Sequence, residues 1–234
     1  DTTEPNARGI IPIPTSDIGT EPVLMNPLFC RTELCNFLSP LMFPSLVNVN
    51  PDGSLQLADD DNFALVASIE YRDEGYIYTL REDATWSDGT PITAYDVFFS
   101  YLAAIDRSTG STYRAGLILT IDALIPLNES QVLVIPDEID CDTPLNANFS
   151  VIPFVPFDAD FATRAREFFG DDTTIEHFDG WLDADTFRYS SMPNHDFSYA
   201  PNLSYGNYQF AGHSAQEYVR LMNVNQGQVL QAVN

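Results

Sequence analysis

Lysine is absent from the 234 residues, so all ten basic side chains are arginines, set against 34 Asp and Glu. The formal net charge is 10 − 34 = −24. A surface that acidic repels phosphate backbones, which removes nucleic acid as a partner, and it offers no basic patch to anionic lipid. Its plain reading is a solvated surface that keeps the chain soluble, with a cationic ligand or a high-salt habitat as the sharper alternative. Long hydrophobic runs are missing as well. No stretch approaches the roughly eighteen apolar residues that would mark a membrane-spanning helix. The first residues show no charged n-region followed by an apolar h-region, as expected of a mature or trimmed form of a secreted chain.

Catalytic and metal signatures are equally scarce. There are three histidines, His177, His195 and His213, without helical His-x-x-x-His spacing, and a site built from His195 and Asp196 would need further partners. We expect no bound metal and no cofactor. Ser68, Ser190 and Ser191 stand outside any Gly-x-Ser-x-Gly elbow, which disfavours a serine hydrolase. Cysteine is limited to Cys30, Cys35 and Cys141. Four residues separate the first two, too wide for a redox C-x-x-C and without a second pair for zinc. In an exported protein Cys30 and Cys35 are the leading disulfide pair. Pairing of either with Cys141 stays open, as do three buried thiols.

What the chain does have is 44% hydrophobic residues and 29 aromatics, enough for a sizeable core and one or two domains. Tyr76, Tyr78 and Leu80 alternate with Ile77, Thr79 and Arg81, the period of a strand, and with 69–72 they read as a hairpin around Gly75. Ser87-Asp88-Gly89 is a turn. Thr93 and Asp96 form a capping-box-like start to a helix over 94–106, with Val97, Phe98, Tyr101, Leu102 and Ile105 on one face. Leu117 to Ile125 is apolar and reads as helix or strand. Gln131 to Ile135 is a strand. Leu41, Met42, Phe43 and Leu46 suit a short helix within 40–47. The two prolines in Val151 to Phe157 place that segment at an edge or crossover. Phe161, Ala165, Phe168 and Phe169 have helical spacing. Residues 170–204 look irregular, and 205–210 with 217–222 read as a closing strand pair. The elements together point to α+β or mixed α/β organisation.

One segment is more specific than these. Leu80-Arg81, Trp86, Asp88-Gly89, Pro91, Ala94 and Asp96-Val97 stand in a single register that resembles the signature of the family 5 extracellular solute-binding proteins, the receptors of oligopeptide and dipeptide ABC importers. The likeness continues in order through Met25-Asn26-Pro27, the Phe43 to Val47 segment with Asn50 to Gly53, Ile152-Pro153, and Tyr205 to Tyr208 with Val219 to Leu221. Asn207 departs from the family's proline. In all, the likeness spans roughly residues 23–225.

The resemblance implies the first lobe of a two-lobed periplasmic-binding-protein-like fold. Its first domain would be discontinuous, 1–46 and 151–234, with an accessory domain, 47–150, inserted. Family members run well beyond this length, so a second ligand-binding lobe is expected to be missing, and if that lobe is essential for capture this chain alone is expected to bind peptides weakly or not at all, without micromolar affinity. It implies no enzymatic activity. It implies capture of a peptide or other small solute and delivery to ABC permease subunits, by a monomer outside the cytoplasmic membrane that is lipid-anchored in the full protein. Ligand would pair with a first-lobe strand placed at Cys30, Arg31, Thr32 and Glu33, with a further contact from Tyr113. Two readings from other classes stand beside it. A secreted acidic hydrolase of glycosidase type predicts a deep pocket with two carboxylates, one with a strongly raised pKa. A carbohydrate-binding or adhesive module predicts coplanar exposed aromatics.

Overall fold

Gly75 to Leu80, with Gly75, Tyr78 and Leu80 buried and Tyr76, Ile77 and Thr79 half-buried, lies at the centre of a four-stranded sheet in this computed structural model, which describes residues 10–15, 18, 22–59, 62–73, 75–139, 143–214, 217–224 and 229–233. The opening polar residues 1–9 and Cys141 lie outside the described residues. The strands are β1 (Ile10–Pro14), β2 (Asn48–Val49), β3 (Leu55–Gln56), β4 (Val66–Arg72), β5 (Gly75–Leu80), β6 (Ile121–Pro126), β7 (Gln131–Pro136), β8 (Tyr208–Ser214), β9 (Tyr218–Asn223) and β10 (Val229–Val233). The helices are α1 (Glu33–Leu38), α2 (Ala94–Ile105), α3 (Arg114–Thr120), α4 (Thr143–Asn146), α5 (Phe161–Phe169), α6 (Ile175–Ala184) and α7 (Asp196–Tyr199).

Two four-stranded sheets organise the chain. One is antiparallel in the order β4-β5-β7-β6, all from the middle of the sequence. Gly75 is obligatory in it, because a Cβ there would collide with the backbone carbonyl of Val134 on the neighbouring strand. The other runs β1-β10-β9-β8, and in it β1 pairs in parallel with β10, with Ile10 opposite Val229. The opening and closing strands thus share one sheet.

Helix α2 lies at the centre. Its residues Ala94 to Ala104 are buried on every side rather than along one stripe, as expected of a helix sealed between a sheet and other helices. Phe98 packs its ring against Phe169 and Trp181 at 5.4 and 5.7 Å, and Phe99 meets Phe161 at 5.0 Å. Edge-to-face contacts of this kind add about 0.5–1.5 kcal/mol each beyond burial. Helix α2 also grips the proline-bearing segment after residue 150. Ser100 Oγ accepts from Ile152 N–H at 2.9 Å, and Asp96 accepts from Phe154 N–H at 3.3 Å. That segment is a non-strand crossover pinned by side chains.

Several expectations change. The apolar run 117–125 is both helix and strand, with α3 ending at Thr120 and β6 starting at Ile121. The helix expected within 40–47 sits earlier, at Glu33–Leu38, where Thr32 caps it; Pro40 then opens only a single tight 3-10 turn, Ser39–Leu41. The stretch 170–204 is not irregular: α6 occupies Ile175–Ala184, held by the buried rings of Phe178 and Trp181, and α7 follows. The closing strands run later than expected, Tyr208–Ser214 and Tyr218–Asn223.

Candidate functional site

Asn26 is fully buried and builds the platform for the expected ligand contacts. Its side-chain oxygen accepts from Leu28 N–H at 3.1 Å, capping the short turn Pro27–Phe29, and its amide donates to Ser198 Oγ at 3.2 Å. Met25 N–H and Asn26 N–H both donate to the Ser198 carbonyl, at 2.7 and 3.1 Å. The Met25-Asn26-Pro27 element is therefore an anchor locked to α7, and it aims the chain that follows it.

That following segment is not the free strand the resemblance implied. Cys30 is extended and buried, but Thr32 is a helix cap whose Oγ1 accepts from Cys35 N–H at 3.2 Å, and Glu33 is already the first residue of α1. A Thr followed by Glu is a local helix-start signal, and it outweighs the pairing that sequence likeness suggested. Cys30 and Cys35 are joined by a disulfide, Cα to Cα 5.4 Å, across the first turn of the helix. Thr32 and Cys30 thus shape the rim, while Arg31 and Glu33 stand exposed on it.

Arg31 reaches across to the loop after α2. Its Nη2 donates to the Gly110 carbonyl at 3.4 Å, and a Cβ on Gly110 would come within 2.5 Å of the same nitrogen. Gly110, at φ +68, is a position that only glycine fills without strain. Tyr113, three residues on, is half buried, and its hydroxyl lies 3.1 Å from Ser150 Oγ. Ser150 bridges back to Ser45. The structure thus brings Arg31 to the loop that leads to Tyr113, while the Tyr113 hydroxyl is engaged with Ser150.

The signature segment resolves into a structural knot. Trp86 N–H donates to Thr90 O at 2.8 Å around Gly89, and Ser87 N–H donates to Ser204 O at 2.7 Å, tying the turn to the last third of the chain. Asp96 accepts from Thr93 N–H at 2.8 Å and Thr93 Oγ1 at 3.1 Å, completing the helix cap. The Trp86 indole N–H lies against the same carboxyl, near enough to oppose its upward shift but short of a well-formed hydrogen bond. Burial wins over these donors and pushes the Asp96 carboxyl up to about 7. Asp96 is sealed, 2% exposed, so its raised value reflects packing and not an open catalytic pocket. The exposed rings of Phe63 and Tyr71 are not coplanar with their neighbours: Phe63 meets Tyr205 at 86° and Tyr71 meets Tyr76 at 63°. Among the described residues no group of three His, Cys, Asp or Glu could hold a metal ion. No helix among them is long and apolar enough to cross a membrane.

Solved structures share this fold. The oligopeptide-binding protein AppA from Bacillus subtilis, in complex with a nonapeptide, matches with a TM-score of 0.66 at 15% identity, over 96% of this chain and 40% of that one. NikZ from Campylobacter jejuni, in complex with Ni(L-His), matches with a TM-score of 0.62 at 20% identity, over 96% of this chain and 38% of that one. Residues 63–223 match the family described as bacterial extracellular solute-binding proteins, family 5 Middle, and the chain belongs to that family. The periplasmic oligopeptide-binding protein OppA of Escherichia coli K12 is 37% identical over 70 residues, 26% of this chain and 13% of that protein. The chain spans about two fifths of the length of the solved structures it matches.

Proposed function

We propose that this chain forms part of the substrate-binding component of an ABC importer, which captures an oligopeptide or similar small solute outside the cytoplasmic membrane and delivers it to the permease without chemistry. The observation that carries the reading is the rim itself. Arg31, in the segment that follows the locked Asn26 platform, meets the loop from Gly110 to Tyr113 across a sequence separation of 79, in a fold of this family. The named relatives are peptide-binding proteins or carriers of small complexes, which supports a solute of that size. Function as a monomer, outside the membrane and with a lipid anchor, belongs to the same proposal. So does the division into a discontinuous lobe, 1–46 and 151–234, and an accessory domain, 47–150. The segregation of the two large sheets along those boundaries supports that division.

Calorimetry with defined tri- to pentapeptides tests the proposal. Weak saturable heat, with an affinity poorer than micromolar, that weakens further in Arg31→Ala and Tyr113→Ala, with every peptide recovered intact by mass spectrometry, is the expected result. Peptide cleavage during the titration would refute the carrier role. Saturable binding unchanged in both variants would refute this rim as the site.

A further inference from the structure

At the start of the loop that Arg31 reaches, the C-terminal ends of two helices converge. Asp106 caps α2 and Asp185 caps α6, and both line one cavity of about 280 Å³. The other walls are the hydrocarbon of Leu102, Ile105 and Leu182 and the rings of Phe187 and Tyr189, whose centroids are 4.8 Å apart. Among the described residues no basic side chain lines the cavity. A helix C-terminus carries about half a negative charge, so two dipole ends and two carboxylates of one sign share an apolar recess. Aromatic faces beside them favour a cation further.

The two carboxylates have different duties. Asp185 is a fixture: its side chain is 5% exposed and accepts from Tyr189 Oη at 2.8 Å, Phe187 N–H at 3.1 Å and Arg164 at 3.5 Å. Asp106 is only half buried. Oδ1 accepts from Ser108 N–H at 2.7 Å and from the Ser108 hydroxyl, while Oδ2 has no partner among the described residues. The chain has no lysine, and two guanidiniums at the border are both engaged: Arg164 is held in a fork by Asp158 at 2.9 and 2.7 Å, and Arg114 Nε donates to the Ile105 carbonyl at 2.9 Å, which offsets part of the α2 dipole end. A bare metal ion is a poor fit to two carboxylates set in hydrocarbon. An organic ammonium on an apolar stem matches every wall.

We propose that this cavity binds a small organic monoamine, its ammonium against Asp106 and the Phe187–Tyr189 pair and its stem against Leu102, Ile105 and Leu182. The volume falls near the lower end of ligand cavities, roughly 300–1,000 Å³, which suits an arylalkyl- or alkylamine and is too small for an oligopeptide. None of its lining residues is one of the rim residues Arg31, Glu33 and Tyr113, and the proposal stands whether or not that rim takes peptide.

Phenethylamine is the probe, with 2-phenylethanol and 3-phenylpropionate as neutral and anionic matches, followed by calorimetry and ligand-detected NMR. The amine is expected to saturate, the alcohol to bind at least about tenfold more weakly, and the acid not to bind, because a charge-assisted contact is at stake. Asp106→Asn keeps the Ser108 turn and should weaken the amine about tenfold or more. Leu182→Trp, at a position 45% exposed, should fill the cavity and abolish binding while the melting temperature stays unchanged. Asp122→Asn, exposed on β6, removes the same charge elsewhere and should leave affinity unchanged. Absence of saturation, equal affinity for the alcohol, or equal losses in Asp106→Asn and Asp122→Asn would overturn the proposal, the last showing only the pull of the overall −24 charge.

Discussion

Replacing Asp96 by alanine separates the two opposed effects of a buried carboxyl. The side chain accepts three hydrogen bonds, two from Thr93 and one from Phe154. Its loss removes a helix cap, about 1 kcal/mol, and leaves buried donors unpaired at about 1–3 kcal/mol each. The sum, about 3–5 kcal/mol, is a large fraction of the roughly 5–15 kcal/mol that holds a domain together. Against this stands the cost of keeping a charge in the core. With a folded value of about 7 and an unfolded value near 3.9, the native state binds more protons between those limits. The carboxyl's contribution is therefore full below about pH 4 and declines as pH rises towards 7, by at most about 4 kcal/mol (about 3 units at 1.36 each). Urea unfolding at pH 5 and pH 8, followed by the fluorescence of the buried Trp86 and Trp181, reads both effects. The wild type should lose stability between the two pH values. Asp96→Ala should be weaker at pH 5, with a smaller penalty at pH 8. Equal penalties at both would show that the carboxylate is already ionised in the folded protein, with its donors outweighing burial, and would refute the reasoning.

Three further outcomes are expected. Gly206→Ala places a methyl onto the Leu41 carbonyl and should lower the melting temperature clearly, whereas Gly180→Ala meets only Phe168 at 3.6 Å in the interior of α6 and should raise stability by about 0.5–1 kcal/mol; comparable effects in thermal melts would contradict this. Cys30→Ser with Cys35→Ser opens a short loop and should cost about 2 kcal/mol in chemical denaturation, with no loss counting against the bond's contribution. Tyr189→Phe deletes a 2.8 Å hydrogen bond to Asp185 and should cost about 1 kcal/mol, more if Asp185 finds no replacement donor; an unchanged midpoint would show that water takes the place.

What could be read in the sequence divides along physical lines. Helix α2 was legible to within a residue because its cap, Thr93 with Asp96, and its apolar content are local signals. The 117–125 run resisted because one apolar string serves two elements, and periodicity carries no mark at Thr120 where helix becomes strand. Helix α6 was missed since Asp, His and Gly dilute its pattern, and only packing of Phe178 and Trp181 against distant rings shows why it forms. At the rim, Asn26 was visible as part of a motif but its partner Ser198 was not. The Arg31–Gly110 and Tyr113–Ser150 contacts join residues with no sequence signal linking them. Thr32 and Glu33 carry a local capping signal, and it starts a helix where the likeness implies an extended strand.

The parallel ladder between β1 and β10 has a consequence in time rather than in space. Ile10 meets Val229 across a sequence separation of 219 (229 − 10), while the sheet β4-β5-β7-β6 closes entirely within 66–136. Distant pairings form slowly, because a long loop must be closed before any contact rewards it. The middle of this chain can settle early and by itself. The first strand must wait, unpaired with β10, until the last has been made.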